Sequence, residues 1–145
     1  MVLSPRLRAV VDALPLRPGM RVLEIGGAPG AAAREVATRI GERGHVLVVD
    51  RSAKGIALTE QHAADEIRAG RMGVRCVAAE DFELLPGEAP YDLAFAVRVG
   101  ALDGRHPRAG ERARGRIRAA LTPSGRLFID GGDPLREVEL GERTG

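Results

Sequence analysis

Short, mostly apolar stretches alternate with longer stretches in which apolar residues recur every three or four positions. The first kind stands at 21–25, 45–49, 74–79, 91–97 and 126–129 and predicts buried strands; the second predicts amphipathic helices. Ser4-Pro5 caps and opens a helix with Leu7, Val10, Val11 and Leu14 on one side. Leu16-Arg17-Pro18-Gly19 is a turn. Ala33, Val36, Ala37 and Ile40 mark a helix over 31–40 that Gly41 stops. Ile56, Ala63 and Ile67 face inward on a helix over 52–68, with Gly70 beyond its end. An arginine-rich helix follows over about 107–121, ended by Thr122-Pro123. Gly131-Gly132-Asp133-Pro134 is a strong turn signal, and 136–140 then alternates, with Val138 and Leu140 on one face.

Strands that are apolar throughout and alternate with helices predict a parallel sheet covered on both faces. Right-handed crossovers make it doubly wound, an α/β Rossmann-like domain whose ligands lie at the C-terminal ends of the strands. With 145 residues and no internal repeat or linker, residues 1–145 read as one domain. No apolar run approaches the roughly 18 residues of a membrane span, and no apolar segment follows Arg6 and Arg8 as in a secretion signal. Cys76 is the single cysteine, so an internal disulfide is excluded and a reducing, cytoplasmic setting is expected. The net charge of +2 excludes little. Lys54 is the one lysine among 22 basic residues, which reads first as coding bias, although arginine is also the better fork for phosphate and carboxylate.

The first strand carries Glu24 and runs into Gly26-Gly27-Ala28-Pro29-Gly30 before the next helix opens, the shape of a nucleotide-binding loop. A dinucleotide loop of the form G-x-G-x-x-G would need glycine where Ala28 and Ala31 stand, and no Gly-Lys-Ser/Thr follows as in a P-loop. Glu24-Ile25-Gly26-Gly27-Ala28-Pro29-Gly30 resembles the first motif of the class I S-adenosylmethionine-dependent methyltransferases, with Ala28 in place of the middle glycine. "LRPGMRVLEIGGAPG", "HVLVVDRSAKGIA", "CVAAEDFELLP", "YDLAFAV" and "LTPSGRLFID" are similar to the family's successive strand ends, in order and over nearly the whole chain. The resemblance implies S-adenosylmethionine as cofactor, with S-adenosylhomocysteine as product.

Glycines 26, 27 and 30 let backbone approach a ligand where a Cβ would clash, and Ala28 lies between them. The helix start beyond them offers free N–H groups to the methionyl carboxylate, and Glu24 could face the methionyl ammonium. Asp50, at the end of the second strand and beside Arg51, could accept from both ribose hydroxyls. Glu80 and Asp81 follow the third strand; Asp81 could accept from the adenine amino group while Phe82 packs on the ring. Val97 closes the fourth strand.

Methyl transfer to a nucleophile is an in-line displacement in which alignment carries most of the catalysis. If the acceptor must lose a proton, the base should lie just past the fourth strand, between Arg98 and Pro107. His106 is the candidate there, ahead of Asp103 and Arg98; His45 and His62 stand away from the crevice. No metal site is expected. Ala28-Pro29-Gly30 echoes the ribosomal RNA 2′-O-methyltransferases, but the lysines those enzymes use are missing. Arginines 105, 108, 112, 114, 116 and 118 read as a solvated helix face before an RNA face, and aromatics make up 3% of the chain. A small-molecule acceptor with an N or O nucleophile is therefore the first expectation. An RNA acceptor, or a methyltransferase-like partner subunit without catalysis, is the alternative. With 15 residues after Asp130, the family's last helix and hairpin do not fit within the sequence. The tail is expected to form a short antiparallel strand beside the fifth, with a homodimer covering what that strand leaves exposed.

Overall fold

The computed structural model describes residues 2–141. Its elements run α1 (Pro5–Ala13), β1 (Arg21–Ile25), α2 (Ala31–Ile40), β2 (His45–Asp50), α3 (Ala53–His62), α4 (Ala64–Arg68), β3 (Met72–Cys76), a 3₁₀ turn (Ala79–Asp81), β4 (Tyr91–Ala96), α5 (Pro107–Ala120), β5 (Leu121–Asp130) and β6 (Leu135–Val138). The strands form one sheet in the order β3-β2-β1-β4-β5-β6. The first five are parallel and β6 is antiparallel to β5. The chain reverses direction across the sheet between β1 and β4, so the crevice beyond their C-terminal ends is the topological switch point.

The strand pleat divides the core in two. Val22, Val46, Val48, Leu93 and Phe95 point to one face, where Val10, Val11, Val36, Ile40 and Ile56 from α1, α2 and α3 cover them. Leu23, Ile25, Leu47, Val49, Ala94 and Ala96 point to the other, under Ala113 and Ile117 of α5 and under Phe82. Both faces are buried, which is why the central strands read as apolar at every position.

Four expected boundaries move. The helix over 52–68 is two helices, because the backbone departs from α geometry at Ala63 (φ −110°, ψ 27°). The third strand lies at 72–76, not 74–79, because the chain turns at 79–81 to bring Phe82 into the core. The fifth begins at Leu121, so Thr122-Pro123 lies within the strand and does not merely end the helix. In the tail the paired residues are 135–138, with Asp130↔Leu135 and Leu127↔Val138 in register. Arg136 and Glu137 are exposed there, and Arg126 on β5 holds the Glu137 carboxylate at 2.7 Å. No helix among the described residues is long and apolar enough to cross a membrane.

Tyr91 is fully buried at the start of β4, and its hydroxyl donates to Glu88 at 2.6 Å. Arg75 on β3 grips the same carboxylate with both terminal nitrogens, and the Leu85 N–H donates to it at 2.8 Å. Burial pushes the Glu88 carboxyl up, but these hydrogen bonds outweigh it and hold the group below its ordinary range. Glu88 thus fastens the segment before β4 to the sheet. Tyr91→Phe should lower stability by about 1.5 kcal/mol in urea unfolding, the low end for a bond to a charged group, since Arg75 and Leu85 still satisfy the carboxylate.

Candidate active site

Beyond the C-terminal ends of β1, β2 and β4 lie two cavities that share Gly26 and Arg98. The larger, about 600 Å³, is lined by Asp50 and Arg51 after β2, by Ala78 to Glu80 after β3, and by the β4–α5 loop with Arg105 and His106. The smaller, about 380 Å³, is lined by Glu24, by Gly27, Ala28, Pro29 and the first turn of α2, by Val97, and by Ser4, Arg6 and Leu7 of the N-terminal segment.

Glu24 is 3% exposed, and its Oε1 has no hydrogen-bond partner. Burial, and secondarily the nearby Asp50 carboxylate, push its carboxyl up to about 8 from 4.5. Among the described residues nothing compensates the burial of this unpaired carboxyl beside a second acid.

Asp50 is held by backbone. Its Oδ2 accepts from the Ala28 N–H at 3.2 Å and its Oδ1 from the Ser52 N–H at 2.9 Å. Each oxygen keeps a lone pair for a further donor, so the carboxylate that lines the larger cavity is aimed by the glycine loop and by the turn into α3.

The glycines meet a demand of the chain itself. Gly26 and Gly30 have φ of 72° and 99°. A Cβ at Gly26 would lie 2.7 Å from the Val99 side chain, and one at Gly30 would lie 2.9 Å from Thr59. At Gly27 a Cβ would collide with the Glu24 carboxyl group itself. Gly30 lines neither cavity; it sets the left-handed start of α2, which has no side-chain cap and no acid in its first turn. The N–H groups of that turn are therefore open to an anion beside Ala31 and Ala32. Gly26→Val should consequently unfold or strongly destabilise the ligand-free protein, by 2 kcal/mol or more on the order of a strained and crowded site, measured as a loss of helical circular dichroism or a fall in Tm.

Two expected site residues are placed elsewhere. Phe82 is fully buried between sheet and α5, with the Arg75 guanidinium 5.5 Å from its ring centre, so it packs the core and offers no face to the crevice. Asp81 lines neither cavity; its carboxylate is exposed and takes Arg112 of α5 at 3.1 Å. Glu80 does line the larger cavity, and Arg112 also donates to its carbonyl at 2.8 Å. Arg116 pairs with Glu83, and Arg118 donates to the Thr122 and Gly125 carbonyls. Three of the α5 arginines therefore brace the segment after β3 and tie the helix to the start of β5. His45 lies at the far end of the sheet, its Nδ1 2.8 Å from the Gly70 carbonyl.

Arg6 and Arg98 both line the smaller cavity and are joined through Asp130. Asp130, ending β5, accepts from the Arg98 N–H at 3.0 Å and from Arg6 Nη2 at 2.9 Å. The three are far apart along the chain, so no local pattern announces them.

A doubly wound sheet with a glycine loop, an acid at the end of the second strand and an unpaired acid in the first defines a site for an adenosyl ligand bearing an amino-acid end. Residues 22–125 match the family model of the methyltransferase domain. The chain belongs to that family, the class I S-adenosylmethionine-dependent methyltransferases. It is 30% identical over 129 residues to the ribosomal RNA large subunit methyltransferase E of Pseudomonas paraeruginosa, covering 88% of this chain and 58% of that protein. It is 30% identical over 136 residues to the protein-L-isoaspartate O-methyltransferase of Methanothrix thermoacetophila, covering 93% and 59%. It thus spans under two thirds of the length of either relative. In fold it is similar to a SAM-dependent O-methyltransferase of Thermotoga maritima, with a TM-score of 0.67 at 17% identity over 89% of this chain and 44% of that one.

Proposed function

We propose that the paired cavities bind S-adenosylmethionine and that the domain transfers its methyl group to an N or O nucleophile of a small-molecule acceptor. The observation that carries this reading is Glu24: a buried carboxyl with an unpaired oxygen, at the mouth of the glycine loop, fits the ammonium of an amino acid. The open first turn of α2 suits its carboxylate. Asp50 suits the ribose hydroxyls, with Arg51 and Glu80 on the same cavity wall. When bound, the sulfonium supplies an electrophilic methyl group and a neutral leaving group. What the chain adds is alignment, exclusion of water by the β4–α5 loop, and a proton acceptor. His106 lines the larger cavity, and its ring has no hydrogen-bond partner among the described residues, which supports assigning it the acceptor's proton.

A small acceptor is favoured over RNA because three of the five α5 arginines, Arg112, Arg116 and Arg118, are engaged within the chain. The relatives named for ribosomal RNA and for isoaspartyl protein keep those two acceptors as the competing readings. Calorimetric titration with S-adenosylmethionine, S-adenosylhomocysteine and NAD tests the cofactor. Micromolar binding of the first two and none of NAD is expected; the absence of adenosyl binding would reduce the domain to a methyltransferase-like partner module.

A further inference from the structure

We propose that the β4–α5 loop is an oxyanion-recognition wall for the acceptor: Arg98 and Arg105 select a small acceptor carrying a phosphate or carboxylate group, and Asp130 positions Arg98. The proposal rests on the reading of the crevice as a methyl-transfer site and names the substrate class that site takes.

Arg98 is the one non-glycine residue at positive φ among the described residues, at 57°. That conformation is unfavourable for an ordinary residue and is kept where surrounding structure enforces it. Here the enforcement is visible, because the Arg98 N–H is tied to Asp130, whose second oxygen is tied to Arg6. Arg98 lines both cavities, and its guanidinium has no hydrogen-bond or ion-pair partner among the described residues.

Arg105 lies on the same wall. Its Nε is fixed by Asp103, at 2.8 Å and 3.0 Å from the two carboxylate oxygens, which leaves both Nη groups without an acceptor among the described residues. Gly100 keeps the space before them open. A Cβ there would lie 3.2 Å from Arg105 Nη2 and 3.1 Å from His106 Cδ2. Two guanidinium forks facing one cavity match the oxygens of a phosphate or carboxylate. A neutral or cationic acceptor would leave them unpaired. A nucleic-acid backbone asks instead for a longer track of free cations than α5 offers, because Arg112, Arg116 and Arg118 are engaged and Arg108 and Arg114 alone lack a side-chain partner among the described residues.

The test uses the whole chain saturated with S-adenosylhomocysteine, whose own affinity is measured first. Inorganic phosphate and acetate are then titrated in low-chloride buffer and followed by the amide NMR signals of 98–106. Phosphate should bind in the millimolar range. Affinity should fall about tenfold or more in Arg98→Gln, Arg105→Gln and Gly100→Ala, as expected for a lost charge-assisted contact, and be unchanged in Arg43→Gln at the opposite end of the sheet. Asp130→Asn should weaken phosphate while S-adenosylhomocysteine affinity stays, a split that a general loss of structure would not produce. Phosphate binding against acetate separates an ester-bearing acceptor from a carboxylate. The proposal is overturned if neither anion binds, if Arg98→Gln and Arg105→Gln bind as the unmodified chain does, or if a short single-stranded RNA binds with equal dependence on Arg98 and Arg112. Failure of S-adenosylhomocysteine to bind would instead sink the cofactor reading, and the anion titration of the ligand-free chain would still read the wall.

Discussion

Glu24→Gln should flatten the pH dependence of stability in the ligand-free protein and, in the same molecule, weaken S-adenosylhomocysteine. Burial and Asp50 push the folded-state carboxyl up to about 8, against 4.5 for an ordinary glutamate. The native state therefore holds a proton that the unfolded chain gives up. That contribution is fully present below pH 4.5 and is lost as pH rises through 8. At about 1.4 kcal/mol per pH unit, on the order of 5 kcal/mol should disappear across that window. Glutamine has the same shape and no proton to lose, so urea midpoints of the variant should stay level where those of the unmodified protein fall. Binding should move the other way. An ammonium paired with the ionised carboxylate is worth about 1.5–3 kcal/mol, so the variant should bind about ten- to a hundredfold more weakly. Pairing also requires Glu24 to release its proton. Near pH 6.5 the binding enthalpy should therefore vary with the ionisation heat of the buffer in the unmodified protein and not in Glu24→Gln. Parallel pH profiles, or equal affinities, would remove Glu24 from the site.

The second large effect is expected at Asp50. Asp50→Asn keeps one carbonyl oxygen but loses an acceptor, so either Ala28 or Ser52 gives up its hydrogen bond. The ligand-free protein should lose about 1–2 kcal/mol, and S-adenosylhomocysteine affinity should drop about ten- to a hundredfold. A pair of simpler ligands isolates the ribose contribution. The unmodified protein should prefer adenosine to 2′,3′-dideoxyadenosine, and the variant should hardly distinguish them. A preference that survives the substitution would place the ribose elsewhere.

The sheet was legible because its central strands are buried on both faces and its helices carry one apolar stripe each. Hydrophobic pattern is enough for that, and Arg21–Ile25 and Ala31–Ile40 fall at their expected bounds. The break at Ala63 was not legible, since an alanine within a good stripe gives no local warning. Phe82 shows a different failure. An aromatic after an acidic pair fits a ring-stacking role equally well on paper, and only the turn at 79–81 decides that it points into the core. The glycines read from sequence as room for a ligand against backbone, whereas the crowding that a Cβ would meet comes from Val99, Glu24 and Thr59 of the chain itself. Arg6, Arg98 and Asp130 could not be paired from sequence, because the contact is set by where β4 and β5 end in space.

The exposed strand β6 bears on self-association through symmetry. Two copies adding edge to edge in antiparallel fashion are related by a twofold axis perpendicular to the sheet, so each register is centred on a residue, and residues directly opposite share a face. Centred on Leu135, Asp133 meets the second copy's Glu137; centred on Arg136 or on Glu137, that residue meets itself; centred on Val138, Glu137 meets Glu139. Each of the four registers sets like charges across the seam, where side chains stand about 5 Å apart and such pairs destabilise. Each of these four registers of the β6 edge therefore disfavours pairing with a second copy, and the like charges blunt that edge against extension of the sheet.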